Sequence, residues 1–374
     1  RMQSFTCVQP GEMTSCVGCH EHRTEAPQFS FNQLTALGKP AAKIEPIRDV
    51  PDVLDFPRDI QPILDRHCVR CHDYDHHEGG GVILSGDRGP MFSHSYFKLT
   101  ARSQVADGRN KPQSNYPPRA LGSSASSLMK SLDPGHYDVR LSPLEKKTVR
   151  LWIETGAAYP GTYAALGTGT IGSYTENQLD RSDTTWPSTQ AAMAVLGTRC
   201  GECHVKESAL PMSASHEHVR PPWELLTPTD PRRRLSRHLL YNLTRPDKSL
   251  LLLAPLSRKA GGYERCRVKT TVGASTDSPA AIFTATDDPD YRTILAAITD
   301  AKRRLDEIKR FDMPGFRPRI EWVREMRRYG IVPAEASPND PIDVYAVERE
   351  YWESLWYRPS VERQLTSSIG QESR

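Results

Sequence analysis

Six of the eight cysteines fall into three copies of one short pattern: Cys16, Cys19 and His20 in SCVGCH, Cys68, Cys71 and His72 in HCVRCH, and Cys200, Cys203 and His204 in RCGECH. With 8 Cys and 12 His in 374 residues, chance supplies roughly 0.005 such matches per chain, so three copies are no accident. Thiols three residues apart stand one helical turn from each other, which lets them add to the two vinyl groups of a haem while the adjacent His reaches beneath the iron as proximal ligand. The competing use of paired thiols is a zinc ribbon. Its two C-x-x-C knuckles lie about 15 to 20 residues apart, whereas the three motifs here stand about 50 and 130 residues apart and each carries a His in the same register. The expected cofactors are therefore three covalently bound haem c groups. Their attachment takes place outside the cytoplasmic membrane, so the chain is expected to be periplasmic or extracellular. In that oxidising setting the two remaining thiols, Cys7 and Cys266, are read as a disulfide joining the N-terminus to the C-terminal half. A thiolate ligand near the first haem and a buried free thiol are the alternatives.

An iron that only exchanges electrons has both axial positions filled, and one that catalyses leaves a position open. Nine histidines remain after the three proximal ones: His22, His67, His76, His77, His94, His136, His216, His218 and His238. Any one of them is by default a surface or packing residue, but the supply is enough for three bis-histidine haems. His136 is the candidate distal ligand of the second haem, because it shortly precedes a helix that closes that unit. For the third haem, His238 competes with Met313, which stands before a later helix; a Met ligand would raise that haem's potential. For the first haem, His94 ranks before His67 and the His76–His77 pair, and the absence of any protein ligand is also kept open.

The elements that must hold these groups read as helices separated by long irregular stretches. From Phe56, the residues Ile60, Ile63, Leu64 and His67 share a face that leads into Cys68. An irregular stretch follows to Ser127. Ser142-Pro143-Leu144-Glu145 is a capping box with Pro at the first helical position, and its helix carries Val149, Leu151, Trp152 and Ile153 to a stop at Gly156. A helix from Trp186-Pro187 reaches Cys200. Asp230-Pro231 caps one carrying Leu235, His238, Leu239 and Tyr241; Asp288-Pro289 caps the longest one; and a last one carries Ile320, Val323, Met326 and Tyr329 to Gly330. Residues 331–374 read as aromatic but irregular, with Trp352, Trp356 and Tyr357 packing on the body. The expected fold is mainly α with long irregular loops. It comprises an N-terminal segment with haem 1 (1–50), a class I cytochrome c-like domain with haem 2 (51–160), a Gly/Thr/Ser-rich linker (161–184) and a second such domain with haem 3 (185–374).

Charge and hydropathy exclude other classes. A net charge of +3 with one short basic run, Arg232 to Arg234, and no aromatic interleaving argues against nucleic acid. The longest apolar run, Leu250 to Leu256 with Pro255 inside it, is far short of the roughly 20 residues of a spanning helix. The chain opens on Arg1, which reads as a processed or incomplete N-terminus.

The blocks SCVGCHEHR, DIQPILDRHCVRCHD, GDRGPMFSHSY, LWIETGAAYPGTYAALG, LSRHLLYNLTRPDKSLLLLAPL and KRFDMPGFRPRIEWVREMRRYG resemble the C-terminal part of planctomycete-type multihaem cytochromes related to the hydrazine synthase alpha subunit. The resemblance covers nearly the whole chain. In that family a β-propeller commonly precedes the cytochrome region; no propeller repeat occurs here, and Arg1 would fall near its last strand, so the chain is expected to be part of something longer. Hydrazine synthase itself is similar only over the first two haems. Its catalytic haem uses a Tyr a few residues after the motif, whereas Thr24 stands four residues past His20 here.

Electron transfer is therefore the expected function, to redox protein partners or to copies of the chain, including as a homopolymeric conducting filament. The competing function is that of a hydrazine-synthase-like oxidoreductase acting on a small nitrogen compound at an open haem 1. A scaffold with purely structural haems is the third reading.

Overall fold

The computed structural model describes residues 47–76, 81–106, 108, 116–165, 185–204, 210, 235, 237–268, 280–335 and 340–354. Among the described residues every regular element is helical, with extended pairing limited to isolated bridges such as Arg267 with Ala281. A π-helical turn, Phe56–Ile60, runs into α1 (Gln61–His67). Then come α2 (His94–Ala101), α3 (Ser127–Ser131), α4 (Pro143–Glu154), α5 (Pro187–Cys200), α6 (Arg237–Leu240), α7 (Leu250–Leu253), α8 (Pro289–Ile308), α9 (Ile320–Arg328) and α10 (Val344–Ser354).

The helix starts follow local chemistry. Ser142 Oγ accepts from the Glu145 amide at 3.2 Å while Glu145 Oε2 accepts from the Ser142 amide at 2.8 Å, completing the capping box of α4. Asp288 caps α8 by accepting from the amides of Asp290 and Tyr291, with Pro289 fixing the first φ. The buried stripe of α8 is Tyr291, Ile294, Ala297, Ile298, Ala301 and Leu305, the 3.6-residue period of a half-buried helix. Four helices depart from the sequence expectation: α2 lies inside the stretch read as irregular, α3 and α7 lie where the pattern gives no helix, and α10 lies in the closing segment read as irregular. The described part of the helix expected after Asp230-Pro231 is the four-residue α6, and Tyr241 stands outside it. Asp230, the linker beyond residue 165, Trp356 and Tyr357 lie outside the described residues.

Two apolar clusters divide the structure. The first gathers Phe56, Ile60 and Leu64 beneath Tyr96, Phe97, Val149, Trp152, Ile153 and Tyr159. Trp152 is fully buried and its indole N–H donates to Ala158 O at 2.8 Å, so the large ring carries no unsatisfied polar atom. The second packs α5 along α8, the most extensive pairing of helices among the described residues, with Leu196, Leu252, Phe283, Ile294 and Ile298 between them.

The clusters are not independent. Leu239 and Phe311, which follow the expected linker, pack on the first one. Beside them the guanidinium of Arg310, fully buried, forms two parallel bonds of 2.8 Å with the Asp312 carboxylate. Asp312 Oδ2 also accepts from Tyr159 OH at 2.6 Å, its carbonyl accepts from Arg88 at 2.6 Å, and Arg310 donates to Gly89 O at 3.0 Å. Chain segments more than 150 residues apart are thus joined by a desolvated ion pair whose every partner is a specific group.

Candidate metal centres

The second CxxCH motif sits where α1 ends. The amide of Cys68 still bonds Leu64 O at 2.8 Å, and the His72 amide folds back onto Cys68 O at 3.0 Å. The Cys71 amide likewise bonds Cys68 O at 3.1 Å, so the whole motif is wound into one tight turn. His72 Nδ1 lies 3.1 Å from Val82 O. A carbonyl only accepts, so Nδ1 carries the proton and Nε2 keeps its lone pair for a metal.

His136 stands opposite. Its ring centre is 6.1 Å from that of His72 and the two planes are within 10° of parallel. An imidazole nitrogen bonds a first-row metal at about 2.0 Å and lies roughly 1.1 Å from its ring centre, so a shared ion holds two ring centres about 6.2 Å apart. The observed separation is close to that value, so the pair would suit one shared iron with its ring nitrogens turned toward it. The turn that presents His136 is braced on both sides, its amide bonding Asp133 O and its carbonyl accepting from Val139 N, each at 3.0 Å. Tyr137 and Asp138, at φ 48 and 58, adopt the left-handed conformation, which costs a non-glycine residue of order 1–3 kcal/mol.

Partly buried Cys68, Val82, Met129 and Leu141 fringe the first core, an apolar wall of the kind a macrocycle needs. No group of three or more His, Cys, Asp or Glu among the described residues is arranged to hold a bare ion. His72 and His136 would be the two imidazole donors to an iron held by a further group. Burial, with Asp65 and Cys71 adding, pushes the Cys68 thiol up to about 11, and burial, with Cys266 adding, does the same to Cys200.

The third motif closes α5, with the His204 amide bonded to Cys200 O at 2.9 Å. Arg199 anchors this end by donating to Ile282 O at 3.2 Å and to Asp288 at 3.0 Å, with its guanidinium over the Phe283 ring. The helix that packs on α5 is α8, so α8 and not the later α9 closes this unit. Met313 comes after α8 and therefore does not hold the place that His136 holds before α4. His238 is buried with its ring 5.5 Å from that of Phe97, against the first core.

The remaining candidates sort by their bonds. His67 Nε2 is 3.1 Å from Glu145 Oε1, which Arg66 also engages at 2.9 Å; His67 therefore serves the α4 cap. Burial works to raise the Glu145 carboxyl, but hydrogen bonds from Ser142, Arg66 and His67 prevail and bring it to about 2. His94, expected to ligate the first haem, uses both ring nitrogens otherwise. Tyr74 OH bonds Nδ1, and Nε2 lies 2.8 Å from Tyr241 O. Neither nitrogen offers a lone pair to iron in this arrangement. Burial lowers the His94 pKa to about 4, so the ring is neutral. Exposed His76 makes no such commitment. Cys266 neighbours the third motif, since Cys200 and Cys203 both act on it or through it electrostatically. Its expected partner Cys7, the whole first motif (Cys16, Cys19, His20) and His22, His77, His216 and His218 lie outside the described residues.

What the sequence reading missed is the Tyr74–His94–Tyr241 chain and the Arg310–Asp312 pair; His94 and the Arg310–Asp312 pair lie in blocks rich in charged and aromatic residues, GDRGPMFSHSY and KRFDMPGF, which was the available signal. Compared with protein-family models, curated proteins and solved structures, the chain gives no match.

Proposed function

We propose that the chain is a three-haem c-type cytochrome that carries electrons, attached outside the cytoplasmic membrane. The observation that carries this reading is the His72–His136 pair: residues 64 apart in sequence, one of them the His of a CxxCH motif, have near-parallel rings with centres 6.1 Å apart. When bound, haem c supplies one-electron exchange at an iron whose coordination changes little. The chain's own groups do the rest. Cys68 and Cys71 fix the macrocycle, Val82 O orients His72, and the strained Tyr137–Asp138 turn holds His136 ready, which keeps reorganisation small. Cys16, Cys19 and His20 would attach a first haem, and Cys200, Cys203 and His204 a third. No helix among the described residues is long and apolar enough to cross a membrane, and the partners we propose are redox proteins or further copies of the chain.

The test is protein produced in a host competent for cytochrome c maturation. Intact mass should show three covalent haem additions per chain. Protein that emerges colourless, or gives up its pigment to acid acetone, refutes the proposal.

A further inference from the structure

Helix α2 touches both of the haem-bearing units described above, and one buried imidazole makes the connection. Tyr241 O can only accept, so His94 Nε2 bears the proton and Nδ1 is the acceptor; Tyr74 OH must then donate to Nδ1. The result is a directed chain, Tyr74 O–H to His94 N–H to the Tyr241 carbonyl. Tyr74 is two residues past His72, and Tyr241 is three residues past His238. Each end of the chain is therefore tied to a segment bearing a candidate axial ligand.

Independent contacts repeat the connection. Phe97, one turn beyond His94 on α2, lies with its ring 5.5 Å from that of His238. Gly89 is the spacer: a Cβ there would come within 2.8 Å of His238 O and 3.2 Å of the His94 ring. Leu243 N bonds Arg88 O at 2.7 Å and Asp87 accepts from Asn242 and Arg245 at 2.6 and 2.8 Å, joining the stretch before α2 to the one after His238, and Arg245 reaches Asp73, next to His72, at 3.3 Å. A residue that merely filled space would need none of this directionality.

We propose that His94 is a positioning residue shared by the second and third haem centres, setting the loop after His72 and the segment around His238 in one hydrogen-bonded frame. The inference rests on the haem reading. It replaces a ligand role for His94 at the first haem by a role at two other centres.

The experiment is a potentiometric titration of wild-type holoprotein, His94→Gln and Tyr74→Phe, followed by optical and electron paramagnetic resonance spectra, with haem content confirmed by mass. Tyr74→Phe removes one hydroxyl and keeps the ring, so it carries the test even if His94→Gln does not fold. The expected result is that two of three midpoint potentials move, each by up to about tenfold in its reduction equilibrium, about 59 mV for one electron, while all three irons stay low-spin. Movement of one potential or none, with three haems present, overturns the inference alone. Loss of one low-spin signal in His94→Gln would make His94 an axial ligand and also overturn it. Wild-type protein without thioether haem overturns the inference together with the reading beneath it.

Discussion

Replacing Asp312 by Asn removes the negative half of a pair that has no access to water. Arg310 is fully buried and keeps its charge, but its two bonds to a carboxylate give way to at most a neutral bond to the Asn amide oxygen beside the one to Gly89 O. Breaking one side of such a pair costs about 3–5 kcal/mol, because the charge left behind is uncompensated. Tyr159 OH, which donates to Asp312 Oδ2, must then share the single amide oxygen with Arg310. The double change Arg310→Met/Asp312→Leu removes both charges together and should cost less than Asp312→Asn alone, since the pair's attraction mostly offsets its own desolvation. Acid behaviour supplies a second signature. Burial would raise the Asp312 carboxyl, yet Arg310, Arg88 and Tyr159 outweigh burial and lower it. A group depressed in the folded state contributes stability above its unfolded value near 3.8 that is lost as pH falls through the folded value. Asp312→Asn should therefore flatten the acid limb. The assay is urea unfolding followed by circular dichroism, at neutral pH and through the acid range. A cost under about 1 kcal/mol for Asp312→Asn, or a double substitution worse than the single one, would refute the reasoning.

Other outcomes follow from the same structure. Ser142→Ala should destabilise by about 1 kcal/mol through loss of the α4 cap, read as a lower denaturation midpoint with unchanged m-value. Because the Glu145 carboxyl is lowered to about 2, its share of stability is present above about 4.5 and lost as pH falls toward 2; Glu145→Gln should remove that part of the acid dependence. Trp152→Ala should cost about 3–5 kcal/mol, a cavity at the centre of the first core, seen in the same unfolding experiment. His67→Ala should leave the visible spectrum of the holoprotein unchanged, since His67 is bonded to Glu145 and not to a metal.

Much of the local architecture was legible because local chemistry writes it. The Ser142 and Asp288 caps and the helices ending at Cys68 and Cys200 all follow from signals within a few residues. Helix α2 was invisible for a physical reason: every residue from Met91 to Leu99 is buried, so the helix has no polar face and no 3.6-residue period to read. Helix α10 mixes aromatic and charged residues, with Trp352 half-exposed, and gives only a weak stripe. Met313 was weighed as a ligand because α9 looked like the closing helix. Which of two amphipathic helices packs on α5 is decided by side-chain fit across about 100 residues of sequence, and periodicity does not carry that information. The same holds for the Arg310–Asp312–Tyr159 and Tyr74–His94–Tyr241 contacts, whose members are polar residues that a single sequence assigns to the surface.

The central claim is that His72 and His136 clasp one iron between them. Electron paramagnetic resonance of the oxidised holoprotein and of His136→Ala tests it most directly. The account predicts that one low-spin signal disappears and a high-spin signal of equal intensity replaces it, with haem content unchanged at three per chain. A His136→Ala spectrum identical to wild type would contradict it.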